Sequence, residues 1–268
     1  GETLVDCTPA FLGRDSSLLR RLAEASGLNI ITNTGFYGAA NDKYVPAFAY
    51  RETADELALR WVREYENGIL PDNIRPGIMK IGVDSAPSLT RGTGVSPVGH
   101  AQDARVTSEI DEKLVRAAAR CHQRTGLAIA SHTGDGVAAM AQLDVLKEEG
   151  VEASAFIWVH AQNEKDHALH ERAAQLGAWV EFDGISPDSV PQHVELVLSM
   201  KRAGYLHRVL VSQDAGWYHV GEPKGGDFRG YDFLFTRFLP ALRKAGASRD
   251  DIQTLIVKNP RRALALTL

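Results

Sequence analysis

The sequence predicts an α/β fold, a (β/α)8 TIM-type barrel in which one strand is unaccounted for. Three observations carry that prediction. Seven short apolar runs alternate with stretches of helical periodicity, the pattern of a parallel sheet. Glycines at 27, 126, 150, 177 and 204 fall where a helix would end just ahead of the next run. Polar residues cluster at or near the ends of several runs, namely Lys80, His132, His160, Asp183 and Asp214. In barrel enzymes the C-terminal rim of the strands carries the chemistry. A doubly wound open sheet also fits the alternation, but it would want a phosphate-binding glycine fingerprint after its first strand. Residues 7–15, CTPAFLGRD, are not one, and neither a P-loop nor a G-x-S-x-G occurs.

In order, the first strand is expected at 4–8 (LVDCT), followed by a helix over 15–25. The second strand, 28–33, leads into TGFYG. Thr53 and Glu56 form a T-x-x-E capping box at the head of a helix over 53–66. The third strand is 77–83, GIMKIGV, and the stretch 84–107 after it is rich in Gly, Pro and Ser. Loops of that length in compact domains are usually functional or disordered. A helix over 109–124 places Ile110, Leu114, Val115, Ala118 and Cys121 on one face. The fourth run, 127–130, stops at Ser131, His132 and Thr133, and a helix over 137–149 follows. The fifth strand, 156–159, ends at His160; the sixth, 178–182, in EFDG; the seventh, 208–212, in QDAGW. The aromatic, glycine-rich stretch 215–230 has the character of a substrate lid, and helices over 231–244 and 249–257 close the chain.

A length of 268 residues suits a single barrel domain over 1–268. The net charge of −4, with both signs interspersed, argues against a nucleic-acid or anionic-membrane surface. Cys7 and Cys121 make neither a disulfide framework nor a C-x-x-C pair, so a reducing, cytoplasmic setting is expected. No apolar run approaches the ~18–20 residues of a membrane span. The expected partners are a small-molecule substrate and a second copy in a homodimer, the default for such barrels.

His132, His160 and Asp214, on separate strand ends, offer the nitrogen and oxygen donors that suit zinc or a similar divalent ion. Each alone is more often a satisfied core polar group; three at one rim favour a metal site. His100, His122, His167, His170, His193, His207 and His219 lie in loops or on helices and are expected at the solvated surface. Lys80 sits inside a strand that should be buried, where an ammonium is costly without a partner. It either snorkels or pairs with Asp84 or Glu181, or its amine has taken up carbon dioxide. The resulting carbamate is an anion with two oxygens that can bridge two metal ions.

These stretches together resemble the phosphotriesterase family of the amidohydrolase superfamily. VDCTPAFLGRD, NTGFY, GIMKIG, ASHTG, WVHAQNEKD, VEFDGI, VLVSQDAGW and KNPRRAL stand in family order over nearly the whole chain. GGDFRGYDFLFTRFLPALRKAG is closer to the homology-protein and lactonase-like branch than to dedicated organophosphate hydrolases. The resemblance implies a barrel with two metal ions, commonly zinc. It makes Lys80 the carbamylated bridging ligand and His132 and His160 the ligands of the more exposed ion. Asp214 becomes the ligand of the buried ion that also shuttles the proton, and Tyr37 falls where lactonase members have an active-site tyrosine. The implied function is a metal-dependent hydrolase in which a metal-held hydroxide cleaves a small ester-like substrate, a lactone ahead of a phosphotriester.

Two departures qualify it. The arginine that lactonases carry after the seventh barrel strand is matched by Gly184, which leaves the substrate open. Family members begin with a strand bearing H-x-H, and no H-x-H occurs here, so the first βα unit of ~30–40 residues is expected to be missing. The alternative expectation is a non-catalytic barrel, or a mononuclear hydrolase with one metal on His132 and His160.

Overall fold

The structure, a computed structural model, describes residues 1–84 and 109–266; the stretch expected as a long loop lies outside them apart from Asp84. The chain divides into two compact units, Gly1–Phe156 and Ile157–Ala265.

The first unit runs β1 (Thr3–Val5), α1 (Ser16–Ser26), β2 (Asn29–Ile31), β3 (Asn33–Thr34), α2 (Ala54–Asn67), β4 (Ile78–Val83), α3 (Glu109–Thr125), β5 (Ala128–Thr133) and α4 (Gly136–Glu148). Three of these four helix starts, those of α1, α2 and α4, have a local cause. The side chain of Asp15 accepts from the Leu18 amide, Thr53 and Glu56 complete the expected capping box, and Asp135 accepts from the Ala138 amide. The five glycines expected at helix ends all adopt left-handed φ, between 70° and 109°, which a side chain would resist.

β1 pairs with β2, and β3, β4 and β5 pair in succession, all parallel. The strand expected as one piece over 28–33 is broken at Thr32, whose carbonyl accepts from the Gly77 amide at 2.9 Å. Its two halves therefore join different neighbours. All six residues of β4 and five of the six in β5 are buried, the two-sided burial of a parallel sheet covered by helices. Leu57 and Trp61 of α2 and Leu114 of α3 belong to the same buried core as Ile78, Met79 and Ile81. Each such aliphatic side chain contributes about 1.5–3 kcal/mol by leaving water. β5 extends through Thr133, so His132 lies within the strand rather than just beyond it.

The second unit takes up within β6 (Phe156–Val159) at Ile157 and continues through α5 (His167–Leu176), β7 (Trp179–Phe182), α6 (Val190–Arg202), β8 (Val209–Val211), α7 (Leu239–Lys244), α8 (Arg249–Gln253) and α9 (Asn259–Ala263). β6, β7 and β8 pair in parallel, Ile157 facing Trp179 and Val180 facing Val209. Both closing helices contain a π-helical turn, Leu234–Phe238 and Thr254–Lys258. In each, the amide just before a proline reaches back five residues, Leu239 to Leu234 and Asn259 to Thr254. Pro240 and Pro260 have no N–H to continue the ordinary ladder, and the wider turn absorbs the mismatch. Among the described residues no helix is long and apolar enough to cross a membrane.

Candidate metal centre

In the second unit, three strand ends bring their polar residues together. His160 follows β6 with φ 67°, and Asp214 comes three residues after β8 with φ 42°. Left-handed backbone at residues other than glycine is costly and gathers at functional sites. Asp183 follows β7. One ligand-type atom from each of His160, Asp183 and Asp214 lies within 4.8 Å of the others.

Asp183 is only 2% exposed, and its carboxylate is heavily used. Oδ1 accepts from His160 Nδ1 at 2.6 Å and from Gln162 Nε2 at 2.9 Å, while Oδ2 accepts from the His160 amide at 2.8 Å. Gln162 Oε1 accepts from the Asp183 amide at 3.0 Å, which locks the pair. These hydrogen bonds offset the cost of burying the carboxylate. A carboxylate only accepts, so the bonded Nδ1 of His160 carries the proton and Nε2 presents the lone pair. This carboxylate–histidine arrangement is how proteins aim an imidazole at a metal. The imidazole of His160 with the carboxylate of Asp214, backed by Asp183, is a donor set that fits a zinc-like divalent ion.

The first unit holds the other expected site residues. Lys80, in β4, is 4% exposed; its Nζ donates to the Ile81 carbonyl at 3.1 Å and lies 5.2 Å from the centroid of the Tyr37 ring. Tyr37 forms an isolated parallel bridge to Gly82, with its ring laid over that residue. A Cβ on Gly82 would come within 2.8 Å of the ring. Tyr37 Oη is 2.9 Å from His132 Nδ1, so the tyrosine joins Lys80 to His132. The register of β4 against β5 sets Gly82 opposite His132. Fully buried Gln142, from α4, grips the residues on both sides of His132: Ser131 Oγ donates to its Oε1 at 2.6 Å, and its Nε2 donates to Thr133 Oγ1 at 3.0 Å. Beyond Tyr37, the left-handed residues Ala40, Asn41 and Asp42 make a tight turn. The two oxygens of Asp84 accept from the amides of Ala40 and Asn41 at 2.8 Å. Burial, with the neighbouring Asp84 charge, pushes the Asp42 carboxyl up.

Residues 1–264 match the phosphotriesterase family. The chain belongs to that family. It is 28% identical to the phosphotriesterase homology protein of Escherichia coli, over 96% of this chain and 81% of the relative. It is 29% identical to a phospho-furanose lactonase of Mycoplasmopsis agalactiae, over 99% of this chain and 75% of that one. An aryldialkylphosphatase of Saccharolobus solfataricus is 24% identical over 97% of this chain and 80% of its own length. The crystal structure of the Escherichia coli homology protein, complexed with phosphate in its active site, superposes with a TM-score of 0.82. That match covers 98% of this chain and 84% of the other at 24% identity. The likeness gives the fold, the α/β barrel class of the phosphotriesterase family.

Sequence reasoning misplaced two histidines of this family member. His170 and His193 were expected at the surface and are 1% and 2% exposed. His170 Nε2 lies 2.7 Å from the Ala161 carbonyl, with the ring packed on Trp158 and Phe182, and burial pushes its pKa down to about 4. His193 sets its ring nitrogens against the carbonyls of Ser189 and Asp183, at 2.9 and 2.7 Å. Backbone acceptors repay the burial of both imidazoles and brace the segments bearing His160 and Asp183. A signal was available: His193 shares a helical face with Leu196, Val197 and Met200, and His170 with Ala173 and Ala174. The orienting work of Asp183 had no signal beyond its place after a buried strand.

Proposed function

We propose that this chain is a metal-dependent hydrolase of small ester-like substrates, with a lactone preferred to a phosphotriester. The observation that carries the reading is the aimed His160 beside Asp214, with Asp183 fixing the imidazole. Family membership supports hydrolysis, and the phospho-furanose lactonase and aryldialkylphosphatase relatives bracket the two substrate classes.

In this reading Lys80, His132, His160 and Asp214 are the metal ligands, by correspondence with the family pattern. A divalent ion held by His160 and Asp214 would supply Lewis acidity and would bring the pKa of water toward about 7. Asp214 takes the proton of the attacking water, and Asp183 keeps His160 in the ligating tautomer. The Tyr37 hydroxyl, beside His132, donates a hydrogen bond to the substrate oxygen. Lys80 contributes as a carbamate, which converts a buried ammonium into an anionic ligand. The family's H-x-H pair does not occur in this sequence, so elemental analysis distinguishes one ion per chain from two.

The test is turnover of five- and six-membered lactones and of a dialkyl aryl phosphate by zinc-loaded protein. Lactone hydrolysis is expected, and it is expected to vanish in both His160→Ala and Asp214→Asn with the circular dichroism spectrum unchanged. Full turnover in either variant, or none in the zinc-loaded parent, overturns the proposal.

A further inference from the structure

The left-handed backbone at Asp214 needs holding, since an aspartate relaxes out of that region unless its surroundings fix it. Two side chains grip its carbonyl. Trp217 Nε1 donates to it at 3.0 Å, and Arg229 Nη2 donates both to it and, at 2.7 Å, to the carbonyl of Gln213. The two hydrogens of one guanidinium nitrogen thus secure two consecutive carbonyls. The Gln213 side chain reaches the same distant segment: its Nε2 donates to the Tyr231 carbonyl, and its Oε1 accepts from the Leu234 amide at 3.1 Å. Gly216, at φ 84°, lies under Tyr231, whose hydroxyl oxygen would be 1.8 Å from any Cβ placed there. Residues 213–217 are therefore stitched to 229–234. Trp217, 56% exposed, ends the first of these stretches, and the segment between them presents two more exposed aromatics, Tyr218 at 71% and Phe228 at 68%.

We infer that Arg229 is a positioning residue for Asp214, tying the aromatic segment 215–231 and the proposed metal carboxylate into one mechanical unit. A substrate that engages Trp217 acts on the same carbonyl that sets the direction of the Asp214 side chain. Metal geometry and occupancy of the segment are then coupled, each affecting the other by the same factor. The inference rests on the reading of Asp214 as a metal ligand, whereas the clamp itself does not require a metal.

The experiment uses the full chain with Arg229→Ala and Arg229→Lys in parallel, so that misfolding of one leaves the other to decide. In metal-free protein, hydrogen–deuterium exchange over 213–218 is expected to speed up in Arg229→Ala and to slow again with added methylguanidinium. Exchange in β4 and β5 is expected to stay at its parental value. Zinc affinity, read by competition with a chromophoric chelator, is expected to weaken by about 10–100-fold in Arg229→Ala, as for other residues that orient ligands. Arg229→Lys should fall between, because an ammonium lacks the planar fork. Unchanged exchange over 213–218 in both variants overturns the clamp, and unchanged zinc affinity in both overturns the positioning of Asp214 by Arg229. A parent that binds no zinc sinks the hydrolase reading instead, and the exchange measurement still decides the role of Arg229.

Discussion

Burying His170 between Trp158 and Phe182 lowers its pKa to about 4 while its Nε2 stays on the Ala161 carbonyl. In the unfolded chain the imidazole titrates near 6.5. As pH falls from about 6.5 toward about 4, the unfolded state takes up a proton that the native state refuses. Native stability therefore declines across that window, by roughly 2–3 kcal/mol at pH 4.5. His170→Gln keeps a donor and cannot titrate. Urea titrations at pH 7 and pH 4.5 are expected to show the variant losing roughly 2–3 kcal/mol less than the parent. At this scale the gathered residues His160, Asp183 and Asp214 were legible as polar residues at or just beyond the ends of apolar runs. The supporting residues were not. Gln142, Gln162 and Arg229 act through tertiary hydrogen bonds across 9 to 21 residues of sequence, which no periodicity encodes.

Helices α3 and α4 are joined by a charge cluster. Arg116 contacts Glu112, Glu148 and Glu149, and Arg120 contacts Glu149. The hydrogen bond from Arg120 is the main influence holding the Glu149 carboxyl below the usual carboxylate range. Its stabilisation is complete above the ordinary glutamate pKa and is lost as pH falls through the lowered one. Partial exposure and screening limit the effect, so Glu149→Gln is expected to cost about 0.5–1 kcal/mol at low salt. In 1 M NaCl, thermal melts of parent and variant should converge. Elements as such were partly readable: caps, glycine stops and apolar spacing located α1 to α4 to within a residue, whereas α5 and α6 were given no bounds and the closing helical run continues to Ala263 rather than stopping at 257. Their irregularities were harder. The break at Thr32 depends on which neighbour each half-strand meets. The π turns likewise went unread, although Pro240 and Pro260, which lack an amide, stand just after them.

For the molecule as a whole, an ion that binds only the native chain adds stability by mass action. With free zinc at 100 times its dissociation constant the gain is about 2.7 kcal/mol. That corresponds to a melting temperature higher by roughly 5–10 °C for a chain of this size. Calorimetry after chelation and after zinc reloading is expected to show the shift in the parent and not in His160→Ala. An identical melting temperature with and without zinc in the parent would argue that His160 and Asp214 hold no ion. The fold class was legible because alternation, glycine stops and polar strand ends agree with one another. The substrate was not, since residues such as Gly184 mark where the family pattern lapses without saying what replaces it.

The Tyr37 ring lying across Gly82 has a consequence for how this site can be remodelled. Gly82 has no left-handed φ, so its own backbone would accept alanine; what excludes a methyl group is chiefly the aromatic ring above it. Gly82→Ala is harmful while the tyrosine is present and becomes tolerable once Tyr37 has been exchanged for a small residue. The two positions show sign epistasis: the order in which they change decides whether an intermediate survives. A laboratory evolution campaign that randomises one residue at a time can enter this region of sequence space only through position 37.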